Sequence, residues 1–536
     1  MKLISTTEMK ELEKAADAAG FSYSAMMEKA GKGIASTIGQ RFNLNKQLKI
    51  IGLVGGGNNG GDTLIALKEL QQKGWSTSAL LVMERSSSDS LILNYLASGG
   101  SILDVDQALN LDGEQEFLFL DGVFGTGFHP PLPDNVQFLF TQLKQQFPGA
   151  QWIAIDCPSG VDCEKGIVSP GTLAASLTIC LEAVKKGMLT YTSFPYCGEL
   201  ISVELGISQY GSYSYSEGSF VADPDMIREI LPQRSDFAHK GSFGKVLVIG
   251  GSSNYPGAPV LAGRGAYSVG VGLVQVAIPE SIAQISAADT PELTWLILPD
   301  AGGIISEMAT ETILPVCQTI QSMVIGPGMA REETTRRFLE NLLRGKKERK
   351  TKAGFPGVSA INLDDENGQI HFPLVIDADG LYLISRQDHW WQVLPAETVL
   401  TPHPGEMALM SGLSITDIQE DRLGVSKEFA AKWQVTLVLK GALTVVAEPD
   451  GRLAVIPVAS SSLAKAGSGD VLAGIIGGLL AQRVPAWEAA LAGAWLHAQA
   501  GKVSALHAGC AESVLASDLI RAVPKVIASV KSNDFH

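Results

Sequence analysis

Lys49-Ile50-Ile51-Gly52-Leu53-Val54-Gly55-Gly56-Gly57-Asn58-Asn59-Gly60-Gly61-Asp62-Thr63-Leu64-Ile65-Ala66-Leu67-Lys68-Glu69-Leu70 reads as strand, turn and helix in succession. The first six residues are a short apolar run of strand length. Residues 55–62 carry too many Gly and Asn to extend it, and from Thr63 the pattern turns helical. A strand, a Gly-rich turn and a helix form the geometry that grips phosphate in a doubly wound sheet. This is not the GxGxxG of dinucleotide dehydrogenases, because two asparagines and an aspartate occupy the tip. Asn58, Asn59 and Asp62 offer oxygens as well as backbone donors, which suits a sugar hydroxyl or a hard cation. A purely structural Asn/Gly turn is the competing reading.

Further strands are expected at 78–83, 117–120 and 152–155. The last two run into acids: Asp121 before Gly122-Val123-Phe124-Gly125-Thr126-Gly127, and Asp156 before Cys157-Pro158-Ser159-Gly160. Open α/β sheets bind ligands beyond the carboxyl ends of their strands, so acids there are candidate functional groups. Strands at 176–181 and 200–204 complete this half. Ahead of it, residues 6–39 read as one or two helices with Glu28 set in an apolar face, either as a surface carboxylate or as a site residue.

A second sheet is expected from 245–250, 274–278, 294–298, 323–325, 374–376, 398–400 and 435–439, with antiparallel strands at 445–447 and 453–457. Its signals are Asp377 and Asp379 after one strand, His403 displayed between Pro402 and Pro404, and Lys440-Gly441-Ala442-Leu443-Thr444 after another. The clearest is Ala466-Gly467-Ser468-Gly469-Asp470, which leads into an apolar Gly/Ala-rich helix. Such a turn aims unpaired N–H groups at an anion. It also sets Asp470 in the first helical turn, placed to take a proton from a hydroxyl, as a phosphoryl-transfer centre requires. A plain helix cap is the alternative. His497, inside the following helix, reads as a satisfied structural histidine. Two α/β domains follow, 1–220 and 221–530. Their motifs do not repeat, so the chain reads as a fusion of two activities.

Composition agrees. With 536 residues, 46% apolar and 57 glycines, the chain is folded α/β material long enough for two or three domains. A net charge of -15 argues against a nucleic-acid backbone as partner. The basic run at 344–352 lacks aromatic platforms and reads as a surface insertion. Six cysteines without a CxxC pair indicate neither a disulfide scaffold nor zinc. No stretch reaches eighteen apolar residues and no signal-peptide core is present, so a cytoplasmic protein without membrane contact is expected.

Seven segments together resemble a known family. Asn58 to Asp62, Asp121 to Gly127 and Asp156 to Gly160 are similar to the NAD(P)HX epimerase domain. His239-Lys240-Gly241-Ser242-Phe243-Gly244-Lys245, Thr401-Pro402-His403-Pro404-Gly405-Glu406, Lys440-Gly441-Ala442 and Ala466 to Asp470 are similar to the ribokinase-like NAD(P)HX dehydratase. The order is that of the bacterial bifunctional repair enzymes. The resemblance implies a Rossmann-like three-layer domain followed by a larger ribokinase-like three-layer α/β domain.

It also implies functions. Hydrated NADH and NADPH carry a hydroxyl on C6 of the nicotinamide ring in two epimers. The first domain would interconvert them, and the second would dehydrate the S form with ADP or ATP. Asn58, Asn59, Gly60, Gly61, Asp62, Gly125, Thr126, Gly127, Phe128, His129, Pro130, Pro131 and Asp156 would contact the hydrated cofactor in the first domain. Asn59, Asp121 and Ser159 would hold a potassium ion. In the second, Ala258, Gly328, His403 and Asp470 would line the hydrated-cofactor site, and Lys440, Gly441, Ala442, Leu443, Thr444 and Gly469 would meet the nucleotide. Asp470 and Asp156 are the catalytic candidates, magnesium the expected metal of the nucleotide, and a homo-oligomer the expected assembly. Four positions depart from the family pattern: Lys29 for Asn, Thr63 for Gly, Tyr382 for Asn, and Ser460-Ser461-Ser462 for an Asn-Pro pair. A small-molecule kinase and a non-catalytic dinucleotide sensor are the rival functions. A kinase would release a stable phosphorylated product, and a sensor would be indifferent to Asp470→Ala.

Overall fold

The computed structural model describes residues 1–536 except 43–47, 87, 113–114, 211–217, 289, 345–369 and 533–536. The basic run at 344–352, apart from Arg344, therefore lies outside the described residues. Two compact units follow one another, Met1–Val221 and Ala222–His536.

In the first unit seven parallel strands form one sheet: β1 Lys49–Val54, β2 Ser76–Leu81, β3 Ser101–Leu103, β4 Phe117–Gly122, β5 Gln151–Ile155, β6 Leu177–Leu181 and β7 Glu199–Val203. Their spatial order is β3-β2-β1-β4-β5-β6-β7, which reverses direction at β1, the topological switch point. Strand β3 has no counterpart among the expected strands; three residues, none of them buried, carry too little apolar pattern to register. Alternation along the strands sends neighbouring residues to opposite faces. Ile50, Val54, Leu118 and Leu120 join a core with helices Thr6–Ala18, Tyr23–Phe42 and Asn58–Gln72. Ile51, Leu53, Phe117 and Phe119 pack the other way, with Val136 and Phe140 of helix Asp134–Gln146. On that side Phe119 stacks on Trp152 at 4.4 Å.

The expected turn at 55–62 is shorter than its composition suggests. The helix begins at Asn58, with Gly57 extended at its N-cap, so Asn58 to Asp62 are helical. Asn and Gly are poor helix formers, but Asn59 to Asp62 are buried and tertiary contact overrides propensity. Gly55 cannot carry a side chain, because a Cβ would run into the Val123 carbonyl.

In the second unit β8 Lys245–Ile249, β9 Leu273–Pro279, β10 Thr294–Leu298, β11 Ser322–Ile325, β12 Leu374–Ile376, β13 Thr398–Leu400, β14 Thr436–Leu439, β15 Val445–Ala447 and β16 Leu453–Val455 line up as β16-β15-β14-β13-β12-β11-β8-β9-β10. The pairs β14–β15 and β15–β16 are antiparallel, and the other pairs in this series are parallel. Helices Ala258–Ser268 and Ser468–Ala481 pack with their small residues face to face. A Cβ on Gly474 would meet the Ala262 carbonyl. The Gly/Ala-rich faces thus meet inside the unit. Among the described residues no helix is long and apolar enough to cross a membrane.

Candidate active sites

The first unit holds a cavity of about 530 Å³ at the carboxyl ends of β1, β4 and β5. Asn58, Asn59 and Asp62 reach it from the helix, Gly125, Thr126, Gly127 and Phe128 from the loop after β4, and Asp156 from the end of β5. Gly60 and Gly61 instead let the helix approach Gly55 and Met27. His129, Pro130 and Pro131 are not in the cavity wall; His129 is exposed, with Nδ1 3.5 Å from Asp162. Among the described residues the N–H groups of Asn58, Asn59 and Gly60 have no acceptor, so the helix end is free to meet an anion.

Asp156 adopts a left-handed backbone (φ 64°), uncommon outside glycine. Its Oδ1 contacts the fully buried Lys185 Nζ and accepts from Leu181 N–H at 3.0 Å. Among the described residues Oδ2 has no partner. Burial works against the Lys185 ammonium, but Asp156 outweighs it and the group is pushed up to about 12. Burial, reinforced by the Asp156 charge, holds Asp62 well above the usual carboxylate range and also raises Glu13. Neither Lys185 nor Glu13 stands out in the sequence. Glu13 could have been found only by knowing that its helix crosses the cavity, and Lys185 only by knowing that it points back under Asp156.

Asn59, Asp121 and Ser159 meet around the backbone of Phe124. Asn59 Nδ2 donates to the Phe124 and Ile155 carbonyls at 2.9 and 3.0 Å. Asp121 accepts from Ser159 N–H at 2.8 Å and Ser159 Oγ–H at 2.6 Å, and Ser159 Oγ accepts from Phe124 N–H at 2.9 Å. Burial raises the Asp121 carboxyl against these bonds, and no Lys or Arg is paired with it among the described residues. A buried carboxylate with hydroxyl and carbonyl oxygens beside it and no paired ammonium is the kind of donor set a hard cation takes.

Two departures from the family pattern find partners in this unit. Thr63, fully buried, donates from Oγ1 to Asn59 O at 2.8 Å and fills the space above Gly122. Lys29 Nζ donates to Leu205 O at 2.9 Å. Glu28 is an ion-paired carboxylate between Lys32 and Lys68, at 3.0 and 3.8 Å, and does not line the cavity.

In the second unit Ile249, Ile325, Ile376 and Leu400 stand side by side, so Gly250, Gly326, Asp377 and Thr401 begin the loops at one level. Asp377 is buried; its Oδ1 accepts from Lys440 Nζ at 2.6 Å and from Thr401 Oγ1 at 2.8 Å. In the sequence Asp377 carries no assigned role, because it looks like one acid of a polar turn. Lys440 also lies 3.7 Å from Glu406, and the two carboxylates raise its ammonium although burial opposes them. His403 is exposed and caps helix Pro404–Ser411, Nδ1 accepting from Gly405 and Glu406 N–H.

Gly467 caps helix Ser468–Ala481 in the left-handed region (φ 87°), which sets Asp470 in the first turn. Among the described residues the N–H groups of Gly469 and Asp470 have no acceptor. A Cβ on Gly469 would stand 3.4 Å from Lys440 Nζ, so turn and ammonium adjoin. Burial pushes the Asp470 carboxyl up to about 7, with Asp377, Asp379 and Glu406 adding to the rise and Lys440 moderating it. Ala258 packs against Gly328 at the opposite loop. His497 departs from the expected satisfied structural histidine: it is buried beside the Ser468 backbone, and its Nε2 has no partner among the described residues. Burial lowers it to about 4, so it is neutral.

The model of a family described as NAD(P)H-hydrate dehydratase matches residues 246–525, and one described as YjeF-related protein N-terminus matches residues 23–187. The bifunctional NAD(P)H-hydrate repair enzyme of Moorella thermoacetica is 30% identical over 548 aligned positions, spanning 99% of this chain and 97% of its own. That of Gloeobacter violaceus is 33% identical over 514, spanning 93% of each. Among solved structures, the ADP/ATP-dependent NAD(P)H-hydrate dehydratase of Bacillus subtilis, co-crystallised with ATP and Mg2+, is 27% identical at a TM-score of 0.47, covering 58% of this chain and 98% of that one. Matched along nearly all its length by such relatives, the chain belongs to the bifunctional NAD(P)H-hydrate repair enzymes, in which an NAD(P)HX epimerase is joined to an NAD(P)HX dehydratase.

Proposed function

We propose that Asp470 is the base of the dehydratase and Asp156 the working carboxylate of the epimerase, with ADP as phosphoryl donor. The observation that carries this reading is the half-buried Asp470 carboxyl, raised to about 7 in the first turn of a helix with two free N–H groups and Lys440 adjoining. A carboxylate of that basicity can take the proton of a ring hydroxyl near neutral pH. The C6 oxygen then attacks the terminal phosphoryl group of the nucleotide, the P–O bond to the leaving nucleotide breaks, and AMP is released from ADP. The N–H groups of Gly469 and Asp470 offset charge on the transferring oxygens. Phosphate leaves C6 as the ring nitrogen lone pair moves in, and loss of the C5 proton restores the dihydronicotinamide. Ala258, Gly328 and His403 hold the hydrated dinucleotide, and Lys440 to Thr444 with Gly469 hold the nucleotide.

Magnesium fits this site in a limited way. Among the described residues no three His, Cys, Asp or Glu side chains group around one point, so nucleotide phosphates would supply most of its oxygens, beside Asp377 or Glu406. When bound it neutralises phosphoryl charge.

In the first unit, Asp156 lines the cavity; Lys185 and Leu181 N–H fix Oδ1, and Oδ2 has no partner among the described residues. That leaves one oxygen to hold or pass a proton at the C6 hydroxyl as the ring nitrogen lone pair expels it and water re-adds on the other face. Asn58 to Asp62 and Gly125 to Phe128 bind the dinucleotide. Asn59, Asp121 and Ser159 would hold potassium, which supplies positive charge that orders the loops after β4 and β5. A soluble cytoplasmic homo-oligomer belongs to the same reading.

The test is to mix the protein with both epimers of hydrated NADH, magnesium and ADP or ATP, and to follow the return of dihydronicotinamide absorbance. Full conversion with release of free phosphate is expected. A stable phosphorylated product would point to a kinase instead. In the Asp156→Ala variant conversion should stall after the S epimer; complete conversion would strip Asp156 of its role in epimerisation.

A further inference from the structure

Beyond Gly328 the chain reaches Arg331, whose guanidinium is fixed from two sides. Nε donates to Asp379 Oδ1 at 2.7 Å, and the Asp379 Oδ2 accepts from Ala330 N–H at 3.1 Å, so one carboxylate holds both the side chain and its backbone. The guanidinium carbon lies 4.6 Å from the centroid of the Tyr382 ring, and that of Arg386 lies 5.9 Å from the same centroid. The Arg331 side chain is 57% exposed, and among the described residues its two terminal nitrogens have no hydrogen-bond partner. Stacking and the Nε bond orient the plane of the fork and leave its outer edge open.

The electrostatics of this mouth call for such a group. Asp377, Asp379 and Glu406 all act on Asp470, in a chain of net charge -15, while the substrates are polyanions. Lys440 is already engaged by Asp377 at 2.6 Å and Glu406 at 3.7 Å. Arg331, by contrast, keeps donors open toward solvent next to the loop that carries Gly328. A guanidinium with its plane held and two parallel N–H bonds free matches a phosphate oxygen pair.

We propose that Arg331, held by Asp379 and Tyr382, is a phosphate-binding clamp at the mouth of the dehydratase site. The inference rests on the dehydratase reading of that site. The phosphate belongs either to the nucleotide co-substrate or to the dinucleotide, and within the latter to the pyrophosphate or the adenosine 2′-phosphate.

The test uses the full chain and its Arg331→Gln, Arg331→Lys and Tyr382→Asn variants. KM and kcat are measured for S-NADHX, S-NADPHX and ADP, and dissociation constants for NADH and NADPH by fluorescence titration, which needs no turnover. Arg331→Gln is expected to raise one KM about 10-fold or more with kcat within about 3-fold, in the range of a lost charge-assisted bond. Arg331→Lys keeps the charge and the Asp379 pair but loses the fork, so an intermediate rise is expected, with Tyr382→Asn smaller still. A rise confined to NADPHX assigns the 2′-phosphate, one shared by both dinucleotides assigns the pyrophosphate, and one for ADP alone assigns the nucleotide. The proposal is overturned if Arg331→Gln leaves every KM and dissociation constant within about 2-fold, or if kcat alone falls, as a merely structural prop for Asp379 would give. Wild-type protein that binds NADPH but dehydrates nothing would instead sink the dehydratase reading.

Discussion

Asp156 and Asp470 are the candidate acids of the two units, one after a strand and sharing a cavity with a helix N-terminus, the other within the first turn of a helix, and their charge partners differ. A buried ammonium, Lys185, contacts Asp156 directly. The ammonium that acts on Asp470, Lys440, is held by Asp377 and Glu406, and Asp470 is left basic at about 7. The contrast teaches how one cation, given to the working acid or diverted to its neighbour, changes what that acid does. In the first unit burial raises the surrounding carboxyls, Asp62 and Glu13; in the second it raises Asp470 itself.

The comparison can be broken most directly at Asp470. Asp470→Asn should lower dehydratase kcat by about 10²–10⁴-fold, the usual worth of a general base, and leave epimerisation untouched. Epimer exchange followed by NMR, beside the absorbance assay, checks both halves. Next in size is Lys185→Met, which leaves Asp156 buried without its cation. A loss of about 3–5 kcal/mol is expected in the first unit, read as an earlier denaturant transition together with lost epimerisation.

The stability counterpart runs the other way. A folded value near 7 against 3.8 unfolded means that the native state holds the proton more tightly. Stability from Asp470 is therefore present below about 4 and is lost as pH rises to about 7. At pH 8 and without ligands, Asp470→Asn should melt later than wild type, by no more than about 4 kcal/mol of stability. In the same window wild-type dehydratase kcat should climb with pH and level off above about 7, because the base must be unprotonated; a flat profile from pH 6 to 8 would contradict the assignment. The smallest effect is expected at the potassium pocket. Ser159→Ala, or replacement of potassium by a larger organic cation, should slow epimerisation several-fold and leave dehydration unchanged.

The strands and the order of the two halves were legible because a buried parallel strand is an apolar run whose end is marked by glycine or acid. Asp121 and Asp156 stood out for the same reason, and Asp470 because a Gly-rich turn sets it at the start of a helix. Lys185 did not, and Asp377 shows in the sequence only as an acid after a strand, because neither an ammonium nor one acid of a turn reveals its partner along the chain. The helix starts at Asn58, earlier than propensity alone indicates, because propensity ignores the burial of Asn59 to Asp62 just inside it. His497 differs from the satisfied structural role its helix suggested, since its ring lies under Ser468 with Nε2 lacking a partner among the described residues.

The sequence by itself determined two α/β units, their motifs and their family, because apolar periodicity and Gly-rich turns are local properties of the chain. Only the tertiary structure decided which carboxylate keeps a cation and which is left basic. Lys185 lies 29 residues from Asp156, and Lys440 lies 63 from Asp377, so their pairing depends on how strands are brought side by side. Charge on a buried acid is set by what surrounds it in space, and no spacing along the chain encodes that.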